Sequence, residues 1–212
     1  MQSSENLLGA SVACAFLGRV LREAPDADLL EEIRREDLLA DWPLPVTGEL
    51  RHSLGSLKNW LESLDEVALE QVRVDHADLF VAPNRAVPMW ESVWTTRERL
   101  LFGDPTFEVR DAYARHGLTA PLLNNEPDDH LGLELAFMAH LLVGAAQAQV
   151  NDDPDTAEAM LADARAFLSD HLGRWAGVCL EEIEARAGTD YYRAVAELCR
   201  ATVDSLPALL AA

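Results

Sequence analysis

The sequence predicts an all-α fold, a single globular bundle of roughly ten helices. Three observations carry this. Apolar residues recur at three- and four-residue intervals along nearly the whole chain, and no stretch sustains the two-residue alternation of a half-buried strand. Pro, Gly and Asp punctuate the periodic segments at the short intervals that bundle connections use. The chain has 212 residues, 49% of them hydrophobic, which is enough for one real core.

The elements follow in order. Residues 6–22 read as a first helix, with Leu7, Ala10, Cys14, Leu17 and Leu21 on one face. Pro25 ends it, and Asp26 caps a second helix to about Leu39. Trp42, Pro43, Leu44 and Pro45 form a break. Residues 48–64 give a third helix, and Asp65 caps a fourth that runs to about Phe80. The longest irregular stretch, 81–92, is unusually apolar for a loop and must either be covered or cover something. Two helices are expected at 94–103 and 105–116, with Gly117 as a stop. A linker at 120–125 precedes a helix over 127–148. Pro154 opens another, to about His171, with a bend at Gly173 or Gly177 before a helix ending at Ala187. Thr189 or Asp190 caps the last, through about Leu206. The linker divides one domain into halves of about 1–119 and 126–212, with a hinge near 120–126 that would permit exchange of halves between two copies.

The formal net charge is -20, from 37 acids and 17 bases. Phosphate contacts need a basic surface, so nucleic acid and anionic membranes are excluded as expected partners. A basic peptide would be attracted at long range. Lys58 is the only lysine, and no phosphate-loop motif occurs. Cys14, Cys179 and Cys199 lie apart within apolar helical patterns, as reduced core thiols do in a reducing compartment. The polar start at residues 1–5 has no basic n-region. The apolar run at 135–148 is short and contains His140 and Gln147, so it is not expected to span a bilayer, and a cytosolic protein is expected.

The densest signal is Glu126-Pro127-Asp128-Asp129-His130-Leu131, followed by Glu134. Pro127 suits a first helical turn, and Asp128 and Asp129 there complement the helix dipole. His130 and Glu134, four apart, share a ridge. This arrangement predicts an acidic and imidazole patch at the mouth of an apolar helix. It suits a partner that is both cationic and greasy. Trp90 and Trp94, flanking Glu91 and Ser92, could meet an arginine by cation–π contact and ion pairing, or plug the bundle. Phe167, His171 and Trp175 form a ridge suited to the core. His130 and Glu134 also admit a metal reading, but two ligands do not close a site. No nucleophile elbow is present.

These residues carry a resemblance. The central run, together with Leu79-Phe80-Val81 through Pro83, Pro88, Glu91-Ser92-Val93, Leu100-Leu101-Phe102-Gly103, Tyr113, Gly117-Leu118, His171-Leu172, Trp175 and Tyr192, is similar to the TorD/DmsD family of redox-enzyme maturation chaperones and to NarJ-type nitrate reductase delta chaperones. The order of these matches is preserved over nearly the whole chain. The resemblance implies a non-catalytic, TorD-like, all-helical cytosolic chaperone with no cofactor of its own. Its partner would be the twin-arginine leader or N-terminal segment of a molybdopterin-containing oxidoreductase, held until its cofactor is inserted. The family's Asp-His pair maps onto Asp129 and His130, with Glu126 and Pro127 beside it. Tyrosine is common in the family where Trp90 and Trp94 stand here. The expected peptide-binding set is therefore Glu126, Pro127, Asp129, His130, Glu134, Trp90, Glu91 and Trp94, on a monomer or a domain-exchanged dimer. The alternatives are a small helical metalloenzyme or hydrolase using His130 and Glu134, and a generic helical adaptor.

Overall fold

The computed structural model describes residues 3–211 apart from 38, 41, 45, 47 and 84, and the side chain at 49 is likewise not described. Met1, and Pro45 of the expected break, lie outside the described residues. Among the described residues, ten α-helices and two π-helical turns make up the fold: α1 (Ser4–Arg22), α2 (Ala27–Arg35), α3 (Gly48–Glu62), α4 (Glu66–His76), α5 (Glu91–Thr95), α6 (Asp104–Arg115), α7 (Leu131–Val150), α8 (Pro154–Phe167), α9 (Gly173–Arg186) and α10 (Asp190–Leu210). The π-helical turns, Ala77–Val81 and Leu168–Leu172, extend α4 and join α8 to α9.

Local chemistry explains most boundaries. Ser3 Oγ accepts from the Asn6 N–H at 3.3 Å, Asp26 from Asp28 at 3.0 Å, Asp65 from Ala68 at 2.7 Å and Asp153 from Thr156 at 3.1 Å, each satisfying a free helix-start donor. Thr189, rather than Asp190, caps α10. Helix α2 ends at Arg35, short of Leu39, because Asp37 adopts a left-handed φ of 49°. Helix α10 carries Pro207 within it and continues past Leu206 to Leu210. The expected bend falls at the second π-helical turn, where a Cβ on Gly173 would lie 2.5 Å from the Leu168 carbonyl oxygen; at Gly177 a Cβ would meet nothing.

The helix expected at 94–103 does not form. A short α5 covers Glu91–Thr95, and the chain then runs irregularly to Gly103 with Arg99 and Phe102 in left-handed conformations. Thr95 and Thr96 turn their hydroxyls back onto the Glu91 and Ser92 carbonyls at 3.0 and 2.6 Å, a local alternative to continuing the helix. The apolar loop before α5 is covered: Val87 and Met89 are buried, and the Val87 N–H reaches the Leu79 carbonyl at 2.7 Å.

Helix α7 is the central element. It packs along α1 and α8, while α10 packs against α9, α3 and α1. The two sides of the 120–125 linker therefore share one core. Helices α1 and α7 come close at a pair of glycines, where a Cβ on Gly18 would lie 2.7 Å from the Gly132 carbonyl oxygen. All three cysteines are free and buried. Against expectation, the 20-residue α7 is long and apolar enough to cross a membrane. Burial, not length, separates it from a spanning helix: most of its side chains lie inside the bundle.

Candidate functional site

The central run builds a different object from the one its helix-start chemistry predicts. Helix α7 begins at Leu131, so Pro127, Asp128 and Asp129 belong to the tight approach to the helix rather than its first turn. His130 is the N-cap. Its Nδ1 accepts from the Gly132 N–H at 3.0 Å, an imidazole doing what a serine or aspartate usually does. The approach pairs antiparallel with the segment before α5. The Leu131 N–H donates to the Met89 carbonyl at 2.8 Å, and the Glu91 N–H donates to the Asp129 carbonyl at 2.9 Å. Trp90 and His130 face each other across this bridge with ring centroids 5.7 Å apart, edge to face.

The carboxylates expected at an accessible mouth are interior. Glu91, Asp128, Asp129 and Glu134 are all fully buried. A buried ionised group must be paired or hydrogen-bonded, and each finds a partner. Asp129 Oδ2 accepts from the Ser92 N–H at 2.7 Å, and Oδ1 from the Thr106 hydroxyl at 2.8 Å. One aspartate thus ties the starts of α5, α6 and α7 together. Asp128 Oδ2 accepts from Arg110 Nε at 3.1 Å and Nη2 at 2.6 Å. Glu91 Oε2 lies 2.9 Å from His171 Nδ1, and Glu134 Oε2 accepts from the Trp175 indole at 3.1 Å. The second oxygens of Glu91, Glu134 and Asp128 have no partner among the described residues. Burial holds the Glu134 carboxyl well above the usual carboxylate range, with the neighbouring Glu91 charge adding to it. The same desolvation, with Arg22 nearby, depresses the His130 imidazole to about 4, so it is neutral near pH 7.

The expected set therefore divides. Trp90, Glu91, Asp129, His130 and Glu134 come together, with Pro127 buried beside them. Glu126, His130, Trp90 and Trp94 are half-buried and form the outer layer. Trp94 donates its indole N–H to the Pro88 carbonyl at 2.7 Å, and the chain's own Arg99 lies over its ring at 5.6 Å. His130 Nδ1 and Glu134 Oε2 are engaged within the chain, and among the described residues no group of three potential metal ligands converges.

Sequence reasoning missed the partners that make the cluster tolerable, Arg110, Thr106, Ser92 and the His171 contact to Glu91. Residues 91 and 171 are 80 positions apart, and no local spacing joins them. It also missed an exposed apolar rim. Leu100, Leu101, Phe102, Phe107, Leu122 and Leu123 are each at least 40% exposed, where the expected helix would have turned part of that surface inward. Arg110 links two parts of this rim. It lies over the Phe107 ring at 5.4 Å and donates to Asn124 Oδ1 at 3.2 Å.

A helical bundle locked at the joint of α5, α6 and α7 by buried carboxylates defines the class. Residues 45–181 match the nitrate reductase delta subunit family, and the chain belongs to that family, the NarJ/TorD group of chaperones. Similar relatives include the Tat proofreading chaperone DmsD of Salmonella typhimurium, 29% identical over 91% of this chain and 86% of that protein. The chaperone protein TorD of Vibrio cholerae is 32% identical over 73% and 68%. The fold is also that of a candidate redox enzyme maturation protein from Archaeoglobus fulgidus, with a TM-score of 0.51 at 18% identity over 92% of this chain and 93% of that one.

Proposed function

We propose that this chain is a cytoplasmic maturation chaperone. It binds the twin-arginine leader or N-terminal segment of a molybdopterin-containing oxidoreductase and holds it for cofactor insertion before export or assembly. The observation that carries the reading is the family match, which spans every residue of the expected binding set. The name Tat proofreading chaperone, borne by a relative aligned over 91% of the chain, points the same way. A leader joins two guanidinium groups to an apolar segment, and both chemistries are present at the joint. Glu126, Trp90, Trp94 and His130 form its outer layer, and the exposed rim from Leu100 to Phe107 continues it with apolar surface. In this reading Asp129, Glu91, Glu134 and Pro127 act from beneath, holding the outer residues in position. Arginine is preferred over lysine because a planar guanidinium pairs with carboxylate and stacks on indole.

Calorimetry with a twin-arginine peptide tests this. Glu126→Gln and Trp94→Ala alter half-buried residues of the outer layer and should each weaken binding about tenfold, about 1.4 kcal/mol. A peptide with both arginines replaced by lysine should bind more weakly still. Equal affinity for the two peptides, or an affinity indifferent to both substitutions, sinks the reading.

We also propose residues 120–125 as the joint about which two copies exchange halves. Sizing at rising concentration, with the linker shortened, should shift the population toward dimer, because a shorter connection disfavours closing on the same chain. An unchanged monomer fraction removes the joint.

A further inference from the structure

A second acidic and apolar surface lies away from the joint, on the outer face of α4. Val67 and Val74 are 64% and 53% exposed, although the helix buries Val72 on its other side. They stand seven residues apart, two turns or about 10 Å along one face. Glu66, Glu70 and Asp78 flank them, and Gly188 and Thr189 form the opposite wall of a groove of about 690 Å³. No basic side chain lines it.

The wall is built rather than incidental. Asp75 uses both oxygens to hold it, accepting from the Gly188 N–H at 2.9 Å, the Thr189 N–H at 2.8 Å and the Thr189 hydroxyl at 2.5 Å. Asp75 is therefore committed. Glu66 and Glu70 carry no ion pair among the described residues. Asp78, at the groove's end, already accepts a guanidinium, from Arg85 at 2.9 Å. The floor supplies apolar rungs at a helical i, i+7 spacing, and Glu66 and Glu70 supply carboxylates without an ion pair among the described residues.

We propose that this groove docks a cationic amphipathic helix of a partner protein. Apolar residues seven apart would seat on Val67 and Val74, and lysine or arginine on the flanking positions would meet Glu66, Glu70 and Asp78. Charge decides among occupants. A second copy of a chain with net charge -20 is repelled, whereas a basic helix is drawn in and oriented. The surface is separate from the leader-binding joint and does not depend on it.

The probe is a labelled amphipathic peptide of leucine and lysine, about 18 residues long, with a glutamate-for-lysine counterpart, followed by fluorescence anisotropy on the full chain. The lysine peptide should bind and the glutamate peptide should not. V67D/V74D and, separately, E66Q/E70Q should each weaken binding by about tenfold or more. The second pair alters only exposed charge and keeps the test valid should the first perturb the fold. Twin-arginine peptide affinity should be unchanged in both. Lysine-peptide binding within twofold of wild type in both variants overturns the proposal. So does a parallel loss of twin-arginine binding, because the leader would then occupy this groove and there would be one surface, not two.

Discussion

Glu134 shows how far a side chain's role can depart from its appearance in the sequence. On a helix ridge beside His130 it reads as half of an acid–imidazole pair. In the fold it is sealed under Trp175, beside Glu91. A carboxyl whose folded pKa is raised binds more protons in the folded state than in the unfolded one. Its contribution to stability is thus fully present below the unfolded value and falls as pH rises through the window up to the folded value. Glu134→Gln keeps the shape and the indole contact without the titration. Urea unfolding from pH 4.5 to 8 should show a flatter decline in the variant, with stability at pH 8 equal to or above wild type. A parallel pair of pH curves would show that the proton on Glu134 plays no part. Nothing local reveals this burial: the charge of Glu91 and the indole of Trp175 arrive from distant segments.

At the scale of elements, most of the fold was legible. Caps at Asp26, Asp65 and Thr189, the proline at the start of α8 and the apolar stripe of α1 are local devices, and they act as the spacing predicts. Two elements were misread for one reason. The start of α7 and the stretch at 94–103 both contain residues that suit a helix, but each has a competing hydrogen-bond scheme. Asp129 spends its carboxylate on Ser92 and Thr106, and two threonines bond back on α5. The α1–α7 contact was not visible either, since neither Gly18 nor Gly132 announces that it faces the other. Gly132→Ala forces a methyl group against the Gly18 carbonyl and the Arg22 side chain. It should cost about 1–3 kcal/mol, as overpacking of a close helix crossing does. A loss of melting temperature is the readout, and the same change at the open position Gly177 should leave stability unchanged or raised. Equal melting temperatures for the two variants would mean that the helices have room to part.

At the scale of the molecule, charge and family point the same way. In a chain of net charge -20, the rim around the joint and the face of α4 both set exposed apolar surface beside acids. Binding of a twin-arginine leader at the joint should be faster and tighter at low salt, with most of the change in the association rate, since long-range attraction steers encounter. Stopped-flow association that ignores ionic strength would leave the excess acidity without a role in capture. The split between layers matters here. The buried carboxylates are already engaged by Arg110, His171 and hydrogen bonds and are shielded from solvent, so attraction at a distance comes from the exposed acids.

Composition, helical period and capping residues by themselves determined an all-α bundle, its approximate helix count, the reduced cysteines and the motif that places the chain in its family. These are local or summed properties, and each residue contributes without knowing its neighbours in space. Tertiary structure alone decided that Asp128, Asp129, Glu91 and Glu134 form an interior lock rather than an open patch. It also decided that α7 is a core helix rather than a spanning one, and that α4 keeps Val67 and Val74 outside while burying Val72. Burial is the reason: whether a carboxylate meets water, an arginine or an indole depends on segments tens of residues away, and no periodicity along the chain encodes that meeting.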